Sequence, residues 1–145
     1  MAGFTNYLED KVINHLFGDD TGASGADHYT APTTWYVGLQ TAAPADDAAG
    51  TEVSGGAYAR QSVAWTLVSG GTAQASNTAA LTFPAATTDW GTVTHAGVYD
   101  AVGAGANLVA FEVLTKTDFT TANPKTVNTG DIFKIDAGNL KIQLD

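Results

Sequence analysis

The residues that could carry chemistry in this chain are few and far apart. The histidines are His15, His28 and His95, and no H-x-H or H-x-x-x-H pair exists to bind a metal. No Ser lies in a G-x-S-x-G elbow, and the chain has no Cys that could act as a nucleophile. We therefore expect structural or solvated histidines and a protein that is not an enzyme.

One acidic, glycine-containing stretch could bind a cation. Asp19, Asp20 and Asp27 lie close together in the sequence, and calcium is bound by several oxygens on flexible loops. Their spacing does not fit the D-x-[DN]-x-[DN]-G pattern of a calcium-binding loop. A solvated loop is the better interpretation, with calcium as the alternative, and we expect no cofactor.

Arg60 is the only Arg of the chain and follows Tyr58 at the start of a predicted strand. One interpretation is a surface side chain whose stem packs on Tyr58. The alternative is an ion pair with an acid such as Glu52, because the planar guanidinium group binds a carboxylate at two points. Such a pair would fix a long loop to the sheet.

Composition limits both the fold and the partners. A length of 145 residues indicates one domain, and a charged fraction of 14% leaves room for Gly, Ala and Thr, a mix that is poor for long helices because Thr favours strands and Gly weakens a helix. The net charge of −9 opposes binding to nucleic acid or to an anionic membrane. No apolar run is long enough to span a membrane, and the first residues do not resemble a signal peptide.

One helix is predicted at the start of the chain, over residues Asn6–Phe17. Phe4, Leu8, Val12 and Leu16 recur at helical spacing and share one face. About twelve residues make a marginal helix in isolation. This helical arm, residues 1–18, must therefore dock on the domain or on a neighbouring subunit.

About eight short strands follow, separated from the helix by a polar loop at 19–32 and interrupted by another at 41–56. Alternation is clear in Thr33–Gln40, and Val63, Trp65 and Leu67 continue it in a later strand. Strands at roughly 8–12-residue spacing are typical of an antiparallel sandwich. The expected fold is a mainly β, jelly-roll-like antiparallel β-sandwich, a single domain over residues 1–145.

Candidate contact residues come from the helix and from one corner. Trp90 lies at a turn between Asp89 and Gly91, and an exposed Trp there could anchor an interface. With the helical arm, this makes Phe4, Tyr7, Trp90 and Arg60 the candidate interface. A marginal helix beside a Gly- and Ala-rich chain also suggests a symmetric homo-oligomer, such as a trimer.

Several motifs occur in a fixed order along the chain. They are NYLEDKVINHLFG, YTAPTTWYVGLQTAAP, GTEVSGGAYARQSV, TFPAATTDWGTVTHAGVYDA and KTVNTGDIFKIDAGNLKIQLD. With them, nearly the whole chain resembles a family of small structural proteins from tailed bacteriophages, often labelled tail fibre proteins. The resemblance implies a component of the virion and no catalytic residues.

Two structural roles are then open. A capsid decoration, or cement, protein that stabilises the head is the main interpretation, because the chain is one small acidic domain without a coiled-coil or β-helix repeat for a fibre shaft. The alternative is a tail fibre or tail-associated adaptor involved in host attachment, which the family label favours. The partners would be major capsid or tail proteins.

Overall fold

The computed structural model describes residues 3–17, 31–68, 74–116 and 121–143. Within these ranges the chain forms one helix and thirteen short strands. In chain order they are β1 (Gly3–Phe4), α1 (Asn6–Phe17), β2 (Trp35–Ala42), β3 (Thr51–Glu52), β4 (Gln61–Val63), β5 (Trp65–Val68), β6 (Gln74–Asn77), β7 (Leu81–Thr82), β8 (Gly91–Val93), β9 (His95–Tyr99), β10 (Leu108–Val113), β11 (Lys125–Val127), β12 (Lys134–Ile135) and β13 (Lys141–Gln143).

The largest sheet is antiparallel and has the order β1-β10-β9-β2-β3. β3 and β4 both pair with the same edge of β2. The residues Trp35–Val37 pair with β4, and Gln40 and Ala42 pair with β3. The residues between these two pairings have no partner strand on that side. This gap positions the polar cluster described below.

Three smaller antiparallel sheets complete the fold: β5-β6-β13, β7-β12 and β8-β11. Their apolar residues pack with those of the large sheet in one buried cluster, formed chiefly by Val37, Leu39, Val53, Val63, Leu81, Phe83, Trp90, Val93, Ala96, Val127, Phe133 and Leu140. Phe83 meets Phe133 edge to face, with ring centroids 5.8 Å apart. The fold is mainly β with one helix and is consistent with a sandwich, as the alternation predicted.

The helix is anchored at its beginning. Thr5, which precedes α1, is buried and donates its hydroxyl to the Leu108 carbonyl at 2.6 Å. A second apolar cluster there contains Val109, and Tyr7 and Leu8 pack against it. No helix within the described ranges is long and apolar enough to cross a membrane.

The apolar side chains in the second half of α1 are largely exposed among the described residues. Leu8 is half-buried, but Val12, Ile13 and Leu16 are 41%, 56% and 63% exposed. The predicted apolar face is thus divided: its first turn packs and its later turns point outward. The helix bounds agree with the prediction, and the alternative of docking on a neighbouring subunit stays a prediction.

Two local predictions were wrong. The segment 41–56 is more than a loop: β2 continues to Ala42 and β3 lies within the segment, because Val53 is buried and its N–H donates to the Leu39 carbonyl at 2.9 Å. Leu67 was expected on the buried face with Trp65, yet it is 79% exposed. Both residues lie in β5 and on one side of it, but Trp65 packs against the core whereas Leu67, two positions further along the strand, lies beyond the part that the core covers.

Candidate functional site

A backbone group in the gap along β2 needs a partner from a side chain. The Leu39 N–H lies between the pairings with β3 and β4, and Leu39 is fully buried. A buried N–H without a partner is strongly unfavourable. The Tyr58 hydroxyl accepts this hydrogen bond at 2.8 Å and so takes the place of a strand partner.

Glu52 and Arg60 continue the chain of contacts from that hydroxyl. Tyr58 donates to Glu52 Oε1 at 2.7 Å, and Arg60 donates through Nε to Oε1 at 2.8 Å and through Nη2 to Oε2 at 2.7 Å. The Arg60 side chain is 12% exposed and that of Glu52 is 23% exposed. The alternative interpretation, an ion pair of Arg60 with Glu52, is confirmed, and the first interpretation, a surface arginine, is wrong.

Arg60 also connects the sheet to the turn between β9 and β10. Its Nη1 donates to the carbonyls of Ala101 at 3.0 Å and Gly103 at 3.2 Å. The guanidinium carbon lies 3.6 Å from the centroid of the Tyr99 ring, which is within cation–π distance. One side chain therefore joins three segments, and we call Glu52, Tyr58, Arg60 and Tyr99 the Arg60 cluster.

Two strand glycines make room for this cluster. A Cβ at Gly38 would lie 2.6 Å from Glu52 Oε1 and 2.9 Å from both Tyr58 Oη and Tyr99 Cε2. A Cβ at Gly97, directly opposite Gly38, would lie 3.2 Å from Tyr99 Cε2. An isolated glycine within a strand often marks a place where another group approaches the backbone closely. Gly38 and Gly97 were therefore the sequence signal for Tyr99, which was not among the candidate site residues.

Three members of the Arg60 cluster, Tyr58, Arg60 and Tyr99, keep one ionisation state near neutral pH. Burial, and then the charge of Glu52, raise the pKa of Tyr99 to about 12. Burial is also the main reason that the pKa of Tyr58 rises well above its usual value, against the hydrogen bond from Leu39. Burial alone would lower the pKa of Arg60, but the hydrogen bond and charge of Glu52 raise it. None of these three groups is suited to transfer a proton near pH 7.

Trp90 is not the exposed corner that the sequence suggested. Its side chain belongs to the core, with 6% of the residue exposed, and its Nε1 donates to the Gly56 carbonyl at 3.0 Å. Its ring meets Tyr58 edge to face at 5.4 Å. The neighbours Asp89 and Gly91 occupy the exposed positions of the corner, while the indole turns inward. Trp90 therefore supports the Arg60 cluster from the core.

The remaining candidate contacts, Phe4 and Tyr7, are half-buried within the chain's own fold. Both pack against the cluster around Val98, and Tyr7 donates its hydroxyl to Asp100 Oδ2 at 3.3 Å. Burial, and then the charge of Asp100, raise the pKa of Tyr7. These two side chains anchor the helix, and the exposed apolar groups lie further along it.

The predicted acidic stretch and the histidines differ in whether the structure describes them. Asp19, Asp20, Asp27 and His28 lie outside the described residues. His95 is half-buried in β9 beside the Thr94 hydroxyl, and burial lowers its pKa against the charge of Glu112. Residues 3–17, 31–68, 74–116 and 121–143 contain no group of three His, Asp or Glu side chains that could hold a metal ion.

A groove of about 1200 Å³ opens on another part of the surface. Its floor is apolar and includes Leu114, Phe133 and Ile135. Four of the chain's six basic residues line it: Lys116, Lys125, Lys134 and Lys141. Sequence reasoning missed this groove because the lysines are spread over 26 positions and meet only in the fold.

The comparison with known families identifies the chain's relatives. Residues 3–143 match the family described as podophage GP4 fiber I protein gp80. No curated protein matches the chain. The match covers the helix, the Arg60 cluster and the lysine groove alike. The chain therefore belongs to the podophage GP4 fiber I protein gp80 family and is a structural protein of a tailed phage.

Proposed function

We propose that this protein is a non-enzymatic component of a phage tail fibre, or an adaptor attached to one, that contributes to host attachment. The observation that carries the proposal is the match of residues 3–143 to a family described as a fiber protein. The capsid decoration role favoured by composition has no comparable observation behind it. It is the outcome against which the tail assignment is tested.

The packing supports a role in structure rather than in catalysis. Within the described residues, the densest polar group is the Arg60 cluster, and four donor–acceptor contacts there already occupy the guanidinium group. Tyr58 likewise accepts one hydrogen bond and donates another. These groups hold segments of the chain together and are not directed at an open cavity.

The outer surface supports assembly with further phage proteins, including further copies of this chain. Val12, Ile13 and Leu16 form an exposed apolar patch on a helix whose beginning is anchored by Thr5. Apolar patches that are exposed on one subunit are common at protein contacts. We infer a homo-oligomer within the fibre, with the helix at its contacts.

Immunogold electron microscopy of intact virions tests the location. Antibodies against the purified chain should label the tail end of the particle, and preimmune serum should label neither end. Label spread over the head would overturn the tail assignment in favour of capsid decoration.

A second assay tests the absence of catalysis. Purified protein incubated with host surface polysaccharide should release no new reducing ends over many hours, and heat-denatured protein gives the background. Release above that background would show an enzymatic site and contradict the proposal.

A further inference from the structure

The exposed face of α1 has a regular chemical pattern. Glu9, Val12, Ile13 and Leu16 are spaced by three and four residues and therefore lie on one side of the helix. All four are exposed, with Leu16 the most open of the apolar three at 63%. We call this set the helix stripe: an apolar surface about two turns long, with a carboxylate at its N-terminal end.

The lysine groove has the complementary pattern. Its floor is apolar, and the exposed Ile132, 60% accessible, extends that surface to the rim. Lys116 and Lys125 are exposed at its border and make no ion pair within the part of the chain that the structure describes. Lys134 differs, because its amine lies 2.6 Å from Asp136 Oδ1.

The two surfaces are separate within one molecule. No residue of 3–17 lines the groove, which is formed by residues of β6, β9 to β13 and the segments between them. A contact between stripe and groove would therefore join two copies. The chain is acidic overall, with fifteen acids against six basic residues, so Lys116 and Lys125 at the border of the groove can pair with carboxylates of another copy of the same chain.

We propose that the helix stripe of one copy docks in the lysine groove of the next. Val12, Ile13 and Leu16 would cover the apolar floor, and the acidic start of the helix, Glu9 and Asp10, would face Lys116 and Lys125. An amphipathic helix in an apolar groove is a common mode of recognition. This contact rests on the homo-oligomer proposed above, but not on the place of the protein in the virion.

The geometry of such a contact has a consequence for assembly. Because two different surfaces meet, the contact is head to tail and leaves one stripe and one groove open in any linear pair. Repetition either closes a ring, such as a trimer, or continues into a filament. A helix-to-helix contact, by contrast, would be two-fold symmetric and would stop at a dimer.

An acidic polysaccharide fits the groove less well. Glu112, Asp131 and Asp136 also line it and would repel a polyanion. Phe133 is the aromatic residue among the described lining, and it is 9% exposed, so it offers little ring surface on which a sugar could stack. A helix with a largely apolar face matches this lining better.

Sedimentation velocity of two variants and their mixture tests the proposal. The stripe variant carries Val12→Asp with Leu16→Asp, and the groove variant carries Lys116→Glu with Lys125→Glu. Wild-type protein should associate with rising concentration, and each variant alone should remain monomeric. A mixture should form a one-to-one pair and nothing larger, because the intact stripe of one variant fits the intact groove of the other.

All four substituted positions are exposed, so the urea midpoint of each variant should stay near that of the wild type. If the stripe variant does not fold, the milder pair Val12→Gln and Leu16→Gln replaces it. Wild-type protein that stays monomeric at its highest soluble concentration overturns the proposal. A mixture of the stripe and groove variants that forms no complex also overturns the proposal. So does a groove variant that self-associates like the wild type but no longer binds an acidic polysaccharide. Immunogold labelling reports on the virion location independently.

Discussion

The Arg60 cluster and the helix stripe differ in how their side chains are used. In the cluster, Arg60 contacts three segments and is almost enclosed, and every polar atom named in its contacts has a partner within the chain. In the stripe, Val12, Ile13 and Leu16 are exposed on the turns of the helix that follow its anchored beginning. The first region fixes the fold, and the second offers surface to another molecule.

Removal of Arg60 should have the largest effect on stability. Arg60→Ala removes the counter-charge of the partly buried Glu52, leaves Glu52 Oε2 without its donor, and removes the link to the carbonyls of Ala101 and Gly103. Loss of one partner of a buried pair costs about 3–5 kcal/mol, and partial exposure of Glu52 lowers the expected value to about 3 kcal/mol. Urea unfolding followed by circular dichroism measures it.

Lys134→Ala is the matched control, because the Lys134–Asp136 pair is 53% and 66% exposed. Its loss should change the free energy of unfolding by less than about 1 kcal/mol. Equal effects of the two substitutions would show that the Arg60 cluster does not hold the fold together.

High pH should weaken the same region. Tyr99 has a pKa near 10 in the unfolded chain and about 12 in the fold, so its contribution to stability is complete below pH 10 and is lost as the pH rises through 12. Two pKa units correspond to about 2–3 kcal/mol, and the raised pKa of Tyr58 acts in the same direction.

Urea unfolding at pH 8 and pH 11 measures this loss. Tyr99→Phe, which has no phenol to ionise at this position, should lose less stability between the two values than the wild type does. An equal loss of unfolding free energy in the wild type and in Tyr99→Phe would show that ionisation of Tyr99 is not the cause of the sensitivity to high pH.

A methyl group at Gly38 should disturb the Arg60 cluster without removing any of its members. The Cβ of Gly38→Ala would lie 2.6 Å from Glu52 Oε1, and overpacking of this kind costs about 1–3 kcal/mol. Gly103→Ala is the control, because a Cβ there meets nothing within 4 Å. Thermal unfolding should separate the two variants, and a similar melting temperature would show that the cluster can relax around the methyl group.

The smallest effect on stability is expected in the stripe. Ile13 is 56% exposed, so Ile13→Gln removes little buried surface and should change the free energy of unfolding by less than about 0.5 kcal/mol. Self-association measured by sedimentation should nevertheless weaken. A variant that unfolds easily but associates normally would reverse the roles that we assign to the two regions.

Local sequence signals predicted part of this picture. The spacing of apolar residues predicted the helix at Asn6–Phe17, and alternation predicted the strand that contains Val37 and Leu39. The sequence left open whether Arg60 lies on the surface or pairs with Glu52, because the predicted loop at 41–56 also contains Asp46 and Asp47 and does not show which acid comes close.

The failures concern contacts between distant parts of the chain. Trp90 was expected outside because its turn is polar, yet Tyr58 and the Gly56 carbonyl, more than thirty positions earlier, hold the ring in the core. The lysine groove gave no local signal, since Lys116 and Lys141 belong to different elements that meet only after folding. Such contacts depend on topology, which periodicity does not specify.

Hydrogen exchange of the wild-type protein, measured at low and high concentration, tests the division between the two regions most directly. We predict slow exchange at the Leu39 amide at both concentrations, because Tyr58 accepts its hydrogen bond inside the fold. Amides in the second half of α1 should exchange quickly in dilute protein and slowly in concentrated protein, as the stripe becomes covered. Rapid exchange at Leu39, or exchange in α1 that does not depend on concentration, would contradict this account.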